Sequence, residues 1–426
     1  MLYHLFQALK DFDIPGGGLA GYLTFRSLMA ALTGLLMSLF VGKKIIRTIQ
    51  RHQIGEEIRN LGLEGQLQKK GTPTMGGIII ILSTLTGVLL WEDLTNIYTI
   101  LLCITILWLG FLGFMDDYIK VFRHNKDGMS EKGKLVGQIA LGLVIGLTVC
   151  YSPKILVREQ VPEKNVTEYE IDEQGQMHTV QVVVEEDIVK STKTTIPFVK
   201  GNEFDYKWLT PLKGKWGWWS KWAIYLIMIV IVITACSNSV NLTDGMDGLA
   251  AGTSAISGIV LMIFAYLSGN VIYSGYLNIM FIPGAGEAAV FMSAMIGSLI
   301  GFLWYNSYPA QIFMGDTGSL AIGGVIGVCA ILIRKELLLP ILCGIFFVEA
   351  LSVIVQRFWF KRTRKKYGEG KRVFRMAPLH HHFQKEEPSA ILQSPEGIQP
   401  ESKIVSRFWI VQIILAVLSV ALLKVR

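Results

Sequence analysis

Charge is scarce in this sequence. Asp, Glu, Lys and Arg make up 17% of its 426 residues, against roughly 25% in soluble globular proteins. The deficit is concentrated in long apolar runs, and 51% of the residues are hydrophobic. An ordinary soluble domain is excluded; the pattern points to a membrane. Cysteine is sparse too. The five present (Cys103, Cys150, Cys236, Cys329 and Cys343) lie in or beside apolar runs without CxxC or Cys/His spacing, so neither a disulfide framework nor a zinc site is expected. No cleavable signal peptide is expected, because 1–23 holds Asp11, Asp13 and a Gly16-Gly17-Gly18 run in place of a compact apolar core. No internal repeat is evident, which weighs against a transporter built from inverted halves. The net charge is +7, but in a membrane protein excess Lys and Arg collect in cytoplasmic loops and fix orientation. No nucleic-acid partner is expected.

A helix needs about 20 mostly apolar residues to cross the hydrocarbon layer. Such segments fall near 24–43, 75–92, 96–115, 135–152, 222–240, 248–268, 287–305, 317–334, 337–358 and 406–424. The expected fold is therefore an all-α polytopic membrane protein with about ten spans and both termini on one side. The loop 41–74 carries Lys43, Lys44, Arg47, Arg51, Arg59, Lys69 and Lys70, and further basic clusters follow Asp117 and Arg357. Alternation places these loops on one face with 241–247 and 306–316, and the positive-inside rule makes that face cytoplasmic and the termini periplasmic. Arg334 and Lys335 fall on the other side and count against this assignment without reversing it. Three regions follow: 1–151 with four spans, a polar periplasmic insertion at 152–221, and 222–426 with the remaining spans. Within the insertion, Gln176 to Val189 is β-branched and partly alternating, and Asp172-Glu173-Gln174-Gly175 has turn composition, which predicts a small β-hairpin. Trp216, Trp218, Trp219 and Trp222 cluster where the chain re-enters the bilayer, as an interfacial aromatic belt does.

Ionisable residues at span ends are functional candidates, and here they recur on one face. The third span ends in Asp116-Asp117, two acids at the negative end of a helix dipole, which call for a cation. Asn241, Asp244 and Asp247 are three apart, so on helical turns they would share one side. Their Asp-Gly-x-Asp-Gly pattern lacks the downstream ligands of an EF-hand. Asp316-Thr317-Gly318-Ser319 opens the next span. It reads either as a helix N-cap or as backbone N–H groups gathered to hold a phosphate. His380-His381-His382 has no HExxH or cysteine partner, and imidazoles contacting phosphate fit better than a zinc site. Lys69-Lys70-Gly71-Thr72-Pro73-Thr74-Met75-Gly76-Gly77 offers cations and hydroxyls without Walker spacing.

Taken together, these segments resemble the polyprenyl-phosphate N-acetylhexosamine-1-phosphate transferase superfamily. Within it the chain resembles the bacterial phospho-N-acetylmuramoyl-pentapeptide transferase (MraY) family. The match runs from the Lys69-to-Gly77 run, through Asp116-Asp117, Asn241-Leu242-Thr243-Asp244-Gly245-Met246-Asp247-Gly248 and Asp316, to Pro378-Leu379-His380-His381-His382-Phe383. The first and last runs favour the muramoyl branch over relatives that use UDP-GlcNAc, which remain the alternative.

The resemblance implies transfer of phospho-MurNAc-pentapeptide from UDP-MurNAc-pentapeptide to undecaprenyl phosphate, giving lipid I and UMP. It also implies Mg²⁺ dependence, a setting in membrane lipid, a cytoplasmic active site and a homodimer. By position, Asp316 is the implied Mg²⁺ ligand, and Asp116 and Asp117 lie beside the metal and the lipid phosphate. Lys70, Lys134 and His380 lie near the phosphates, and Asn241, Asp244 and Asp247 line the cleft. Phe313, Gly315, Asn306 and Gln356 lie on the uridine side, while Thr74, Ala377 and His381 are further implied substrate contacts. The insertion at 152–221 is longer than is typical of the family.

Overall fold

A chain in hydrocarbon must satisfy every backbone N–H and C=O internally, so apolar runs of this length become helices. The structure, a computed structural model, describes residues 1–8, 17–52, 69, 71–123, 125, 127–171, 177–199 and 202–423. A short helix α1 (Leu2–Ala8) precedes α2 (Leu23–His52), α3 (Gly77–Trp91), α4 (Ile97–Phe122) and α5 (Glu131–Tyr151). Four strands follow: β1 (Val157–Ile171), β2 (Met177–Val189), β3 (Lys193–Thr195) and β4 (Glu203–Asp205). The second half holds α6 (Gly214–Thr243), α7 (Leu249–Ser268), the short α8 (Val271–Leu277), α9 (Gly286–Asn306) and α10 (Gly315–Leu332). It ends with α11 (Leu339–Leu342), α12 (Gly344–Tyr367), the single turn α13 (Leu379–His382) and α14 (Glu401–Leu422).

Among the described residues, eight helices are long and apolar enough to cross a membrane, and a bent pair makes a ninth. The fifteen-residue α3 is apolar but shorter. Every expected span thus falls on a helix, though the ninth is not the single rod that its apolar run suggested. Glu336–Leu342 and Gly344–Tyr367 meet at an 80° bend. Pro340 sits in the first turn of α11, and Gly344 opens α12 where an added Cβ would lie 2.9 Å from Leu415 of α14. Past the bend, α12 runs on into the basic segment that ends at Tyr367.

The core is built around α9 and α10, whose apolar windows are almost entirely buried, while only about a third or less of the α2 and α14 windows is buried. α10 packs mainly on α4 and α6, and α9 on α2 and α7. Because α10 runs through the centre, its two ends are held by different partners.

Strands β1 and β2 pair antiparallel with one register shift, and β3 pairs with β4; the expected turn at 172–175 lies outside the described residues. Far from α10's first turn, the β3 region clamps its other end. The Thr195 amide donates to the Arg334 carbonyl at 3.0 Å, Lys335 Nζ to Thr195 Oγ1 at 2.6 Å, and Tyr206 OH to Glu336 Oε1 at 3.2 Å. The Arg334 guanidinium sits 4.8 Å over the Tyr225 ring. Burial pushes the Lys335 ammonium down to about 8. Arg334 and Lys335 are thus buried struts rather than free loop charges.

Candidate active site

The site forms where α4, α5, α6 and α10 end on the basic face. Gly113 permits the close approach of α4 to α10: a Cβ there would sit 2.1 Å from the Asp316 carbonyl oxygen. One turn later Asp116 and Asp117, both buried, face the start of α10. Asp117 Oδ1 accepts from the Asp316 amide at 3.1 Å, and Oδ2 from the Thr317 amide at 2.9 Å and the Thr317 hydroxyl at 2.6 Å. Met314, at the N-cap of α10, makes no side-chain cap. The cap comes instead from another helix, so the N-cap reading of this terminus does not hold. Asp117 fills the role of an anion at a helix N-terminus.

Asp116 Oδ1 accepts from the Met129 amide at 2.6 Å, while Oδ2 meets Lys120 Nζ at 2.6 Å and Lys134 Nζ at 2.9 Å. Both lysines also reach Asp316 Oδ2, at 3.1 and 2.5 Å. Two ammonium groups therefore bridge two carboxylates. Asp116, Asp117 and Asp316 each offer an oxygen within 4.8 Å of the others. An all-oxygen set suits a hard divalent cation such as Mg²⁺. Three carboxyl groups thus face two ammonium groups in one cluster.

The turn after α6 links this cluster to a second one. The expected stripe of Asn241, Asp244 and Asp247 does not form, because α6 stops at Thr243 and the chain turns through Gly248 at φ 77°. Asn241 Nδ2 donates to Asp316 Oδ1 at 2.7 Å and to Ser319 Oγ at 2.9 Å. The Asp244 carboxyl accepts from the Gly315 amide; burial, reinforced by Asp316 and Asp117, pushes it well above the usual carboxylate range. Asp247 turns away. Its Oδ1 meets Lys69 Nζ at 2.6 Å and its Oδ2 accepts from the Ala310 amide at 3.0 Å. Lys69 also contacts Glu401 Oε1 at 2.7 Å and lies 5.8 Å over the Phe313 ring.

The three histidines have three different settings. His380 is fully buried, with Nδ1 3.2 Å from Glu349 Oε2. His381 Nδ1 lies 3.0 Å from Gln384 Oε1; burial, with His380 beside it, pushes this imidazole down to about 3, so it is neutral at neutral pH. His382 accepts from the Arg375 amide on Nδ1 at 3.0 Å and faces the Ser394 carbonyl on Nε2 at 2.9 Å. It ties down its own loop.

The structure thus gathers Asp116, Asp117, Lys134, Asn241, Asp244, Gly315 and Asp316 in one cluster, with Thr74 against Gly315. Asp247 and Phe313 belong to the Lys69 cluster beside it. Asn306 and Gln356 do not present free polar groups. Asn306 accepts from the Gly248 amide and donates to the Ile312 carbonyl, at 3.1 and 2.9 Å. Gln356 holds the Val373 and Phe374 backbone at 3.0 to 3.1 Å. Ala377 leads into the α13 turn. Lys70 lies outside the described residues. Sequence reasoning missed Lys120, Glu349 and Glu401. The first was legible as an i,i+4 partner of Asp116, and the second as a lone acid inside an apolar run. Nothing local signals Glu401, whose partners are Lys69 and the Asp247 amide.

Comparisons with known proteins show what the chain is similar to. The family model described as glycosyl transferase family 4 matches residues 188–334, and a signature described as phospho-N-acetylmuramoyl-pentapeptide-transferase signature 1 matches 69–81. The chain is 54% identical to the phospho-N-acetylmuramoyl-pentapeptide-transferase of Parabacteroides distasonis over the full length of both. It is 52% identical to those of Porphyromonas gingivalis and Flavobacterium psychrophilum, again over the full length of each chain.

Proposed function

The chain belongs to the phospho-N-acetylmuramoyl-pentapeptide-transferase family, and from that premise we propose how its clustered acids and lysines carry out the reaction. The chain transfers phospho-MurNAc-pentapeptide from its UDP-linked donor to a polyprenyl phosphate, undecaprenyl phosphate in this reading, forming lipid I and releasing UMP. The observation that carries the reading is the convergence of Asp116, Asp117 and Asp316 with Lys120 and Lys134.

Phosphoryl transfer asks a protein mainly for positioning and charge neutralisation. Donor diphosphate and acceptor phosphate repel each other, and Lys120 and Lys134 lie where they can offset that repulsion. An acceptor monoester is mostly dianionic at neutral pH, because its second pKa is near 6. One of its oxygens attacks the phosphorus that bears the sugar, the P–O bond to UMP breaks, and the electron pair leaves with UMP. Asp116 orients the acceptor and removes any residual proton. Asp117 is a poor nucleophile, since both its oxygens accept hydrogen bonds from the start of α10. That favours direct attack over a phospho-Asp intermediate. Asp316, with Asp116 and Asp117 beside it, would hold Mg²⁺, which when bound supplies further neutralisation of phosphate charge. Phe313, partly exposed beside Lys69, offers a face for the uracil ring.

The same reading sets the protein in the bacterial inner membrane as a homodimer, with this face toward the cytoplasm. A donor comparison tests it. UMP release from UDP-MurNAc-pentapeptide with undecaprenyl phosphate is expected, with little from UDP-GlcNAc; the reverse preference would overturn the assignment.

A further inference from the structure

Glu349 lies in α12, directly after the apolar Phe346-Phe347-Val348 stretch, and is fully buried. A carboxylate so placed must be paired. Its partner comes from 31 residues further along the chain: the His380 amide donates to Oε1 at 3.1 Å and to Oε2 at 3.3 Å. The same Oε2 lies 3.2 Å from His380 Nδ1. The ring's other edge abuts the turn after α6, where a Cβ on Gly245 would sit 2.3 Å from Nε2. Both ring nitrogens are buried and neither completes a hydrogen bond among the described residues, so Nδ1 has the close Glu349 carboxylate as its neighbour and Nε2 has the Gly245 backbone. His382 has a partner on each ring nitrogen and His381 leans on Gln384. Among these histidines, only His380 sets one ring nitrogen within 3.2 Å of a carboxylate and the other, without a hydrogen bond among the described residues, against the turn that carries Asp244.

We propose that Glu349 is a positioning residue for His380: it holds the imidazole by backbone and ring together, keeps the proton on Nδ1 and leaves Nε2 for the phosphate groups. The assignment rests on the phosphoryl-transfer reading above. A carboxylate that selects one tautomer governs what the opposite nitrogen can do, and replacing a comparable supporting partner costs about 10–100-fold in activity.

The test is a mutant cycle in UMP release, using Glu349→Gln, His380→Gln and the double variant of the full chain. Glu349→Gln is expected to lower kcat about 10–100-fold with donor KM nearly unchanged, and the double variant to be no slower than His380→Gln alone. Losses that multiply, or wild-type kcat in Glu349→Gln, overturn the proposal. Should Glu349→Gln fail to fold, ¹⁵N NMR of histidine-labelled wild-type protein decides, with the His380 signal identified by its loss in His380→Gln. A protonated Nδ1 supports the proposal and an unprotonated Nδ1 overturns it. Absence of UMP release by the wild type would instead remove the reaction reading, and the NMR result would stand apart from it.

Discussion

Asp117 of α4 and Thr317 of α10 are joined twice, with Asp117 Oδ2 accepting from the Thr317 amide at 2.9 Å and from its hydroxyl at 2.6 Å. The positive end of the α10 dipole is thereby neutralised from inside the protein. The same carboxylate fixes the Asp316 backbone, so Asp117 sets the position of the least buried of the three clustered acids.

The two adjacent acids should therefore differ when changed. Asp117→Asn puts an NH₂ against N–H groups and should lower stability by ~2 kcal/mol as well as activity. Asp116→Asn should lose most turnover with a smaller loss of stability, because Lys120 and Lys134 retain Asp316. Thermal unfolding in detergent beside UMP release separates them; equal unfolding temperatures for the two variants would contradict the capping role.

Lys134 contacts Asp116 and Asp316 together. Lys134→Ala should reduce kcat by about 10²-fold or more, in the range of a lost electrostatic donor. Lys120→Ala should do less, since it reaches Asp316 at 3.1 Å rather than 2.5 Å. Rates ranked the other way would place the main neutralising charge on Lys120.

Gly315 has φ 73°, and a Cβ there would meet Asp117 Oδ2 at 2.6 Å and Thr74 Oγ1 at 2.8 Å. Gly315→Ala should be strained by about 1–2 kcal/mol from its backbone alone and should push the cap apart. Near-complete loss of UMP release is expected, with a lowered unfolding temperature. Normal activity would mean that the cap tolerates displacement.

His381 gives a pH signature. Its imidazole is pushed from 6.5 down to about 3 by burial, with His380 and Lys69 adding to the shift. The unfolded chain therefore takes up its proton first. The stability contributed by the neutral ring is complete above pH 6.5 and falls away as the pH drops toward 3. His381→Gln should flatten the decline of unfolding temperature between those limits; a parallel decline would contradict the burial effect.

The spans were legible because apolar length alone determines them, and the candidate acids were legible because charge at a span end is rare. What the sequence hid was pairing across long separations. Asp117 and Thr317 are 200 residues apart, and nothing in Asp316-Thr317-Gly318-Ser319 says that its cap comes from α4. The Asn241, Asp244 and Asp247 spacing suggested one helical face, but the helix ends at Thr243 and Asp247 turns away from the other two. Arg334 and Lys335 looked like misplaced loop charges until their burial against Thr195 and Tyr225 was seen.

The central claim is that the Asp316 cluster is the phosphoryl-transfer centre and that a divalent cation works there. It is tested most directly by UMP release from UDP-MurNAc-pentapeptide with undecaprenyl phosphate, with and without Mg²⁺, on the wild type and on folded Asp316→Asn. The account predicts Mg²⁺-dependent release by the wild type and loss of most turnover in the variant at every Mg²⁺ concentration. Wild-type rates from Asp316→Asn, or full activity in a chelator, would contradict it.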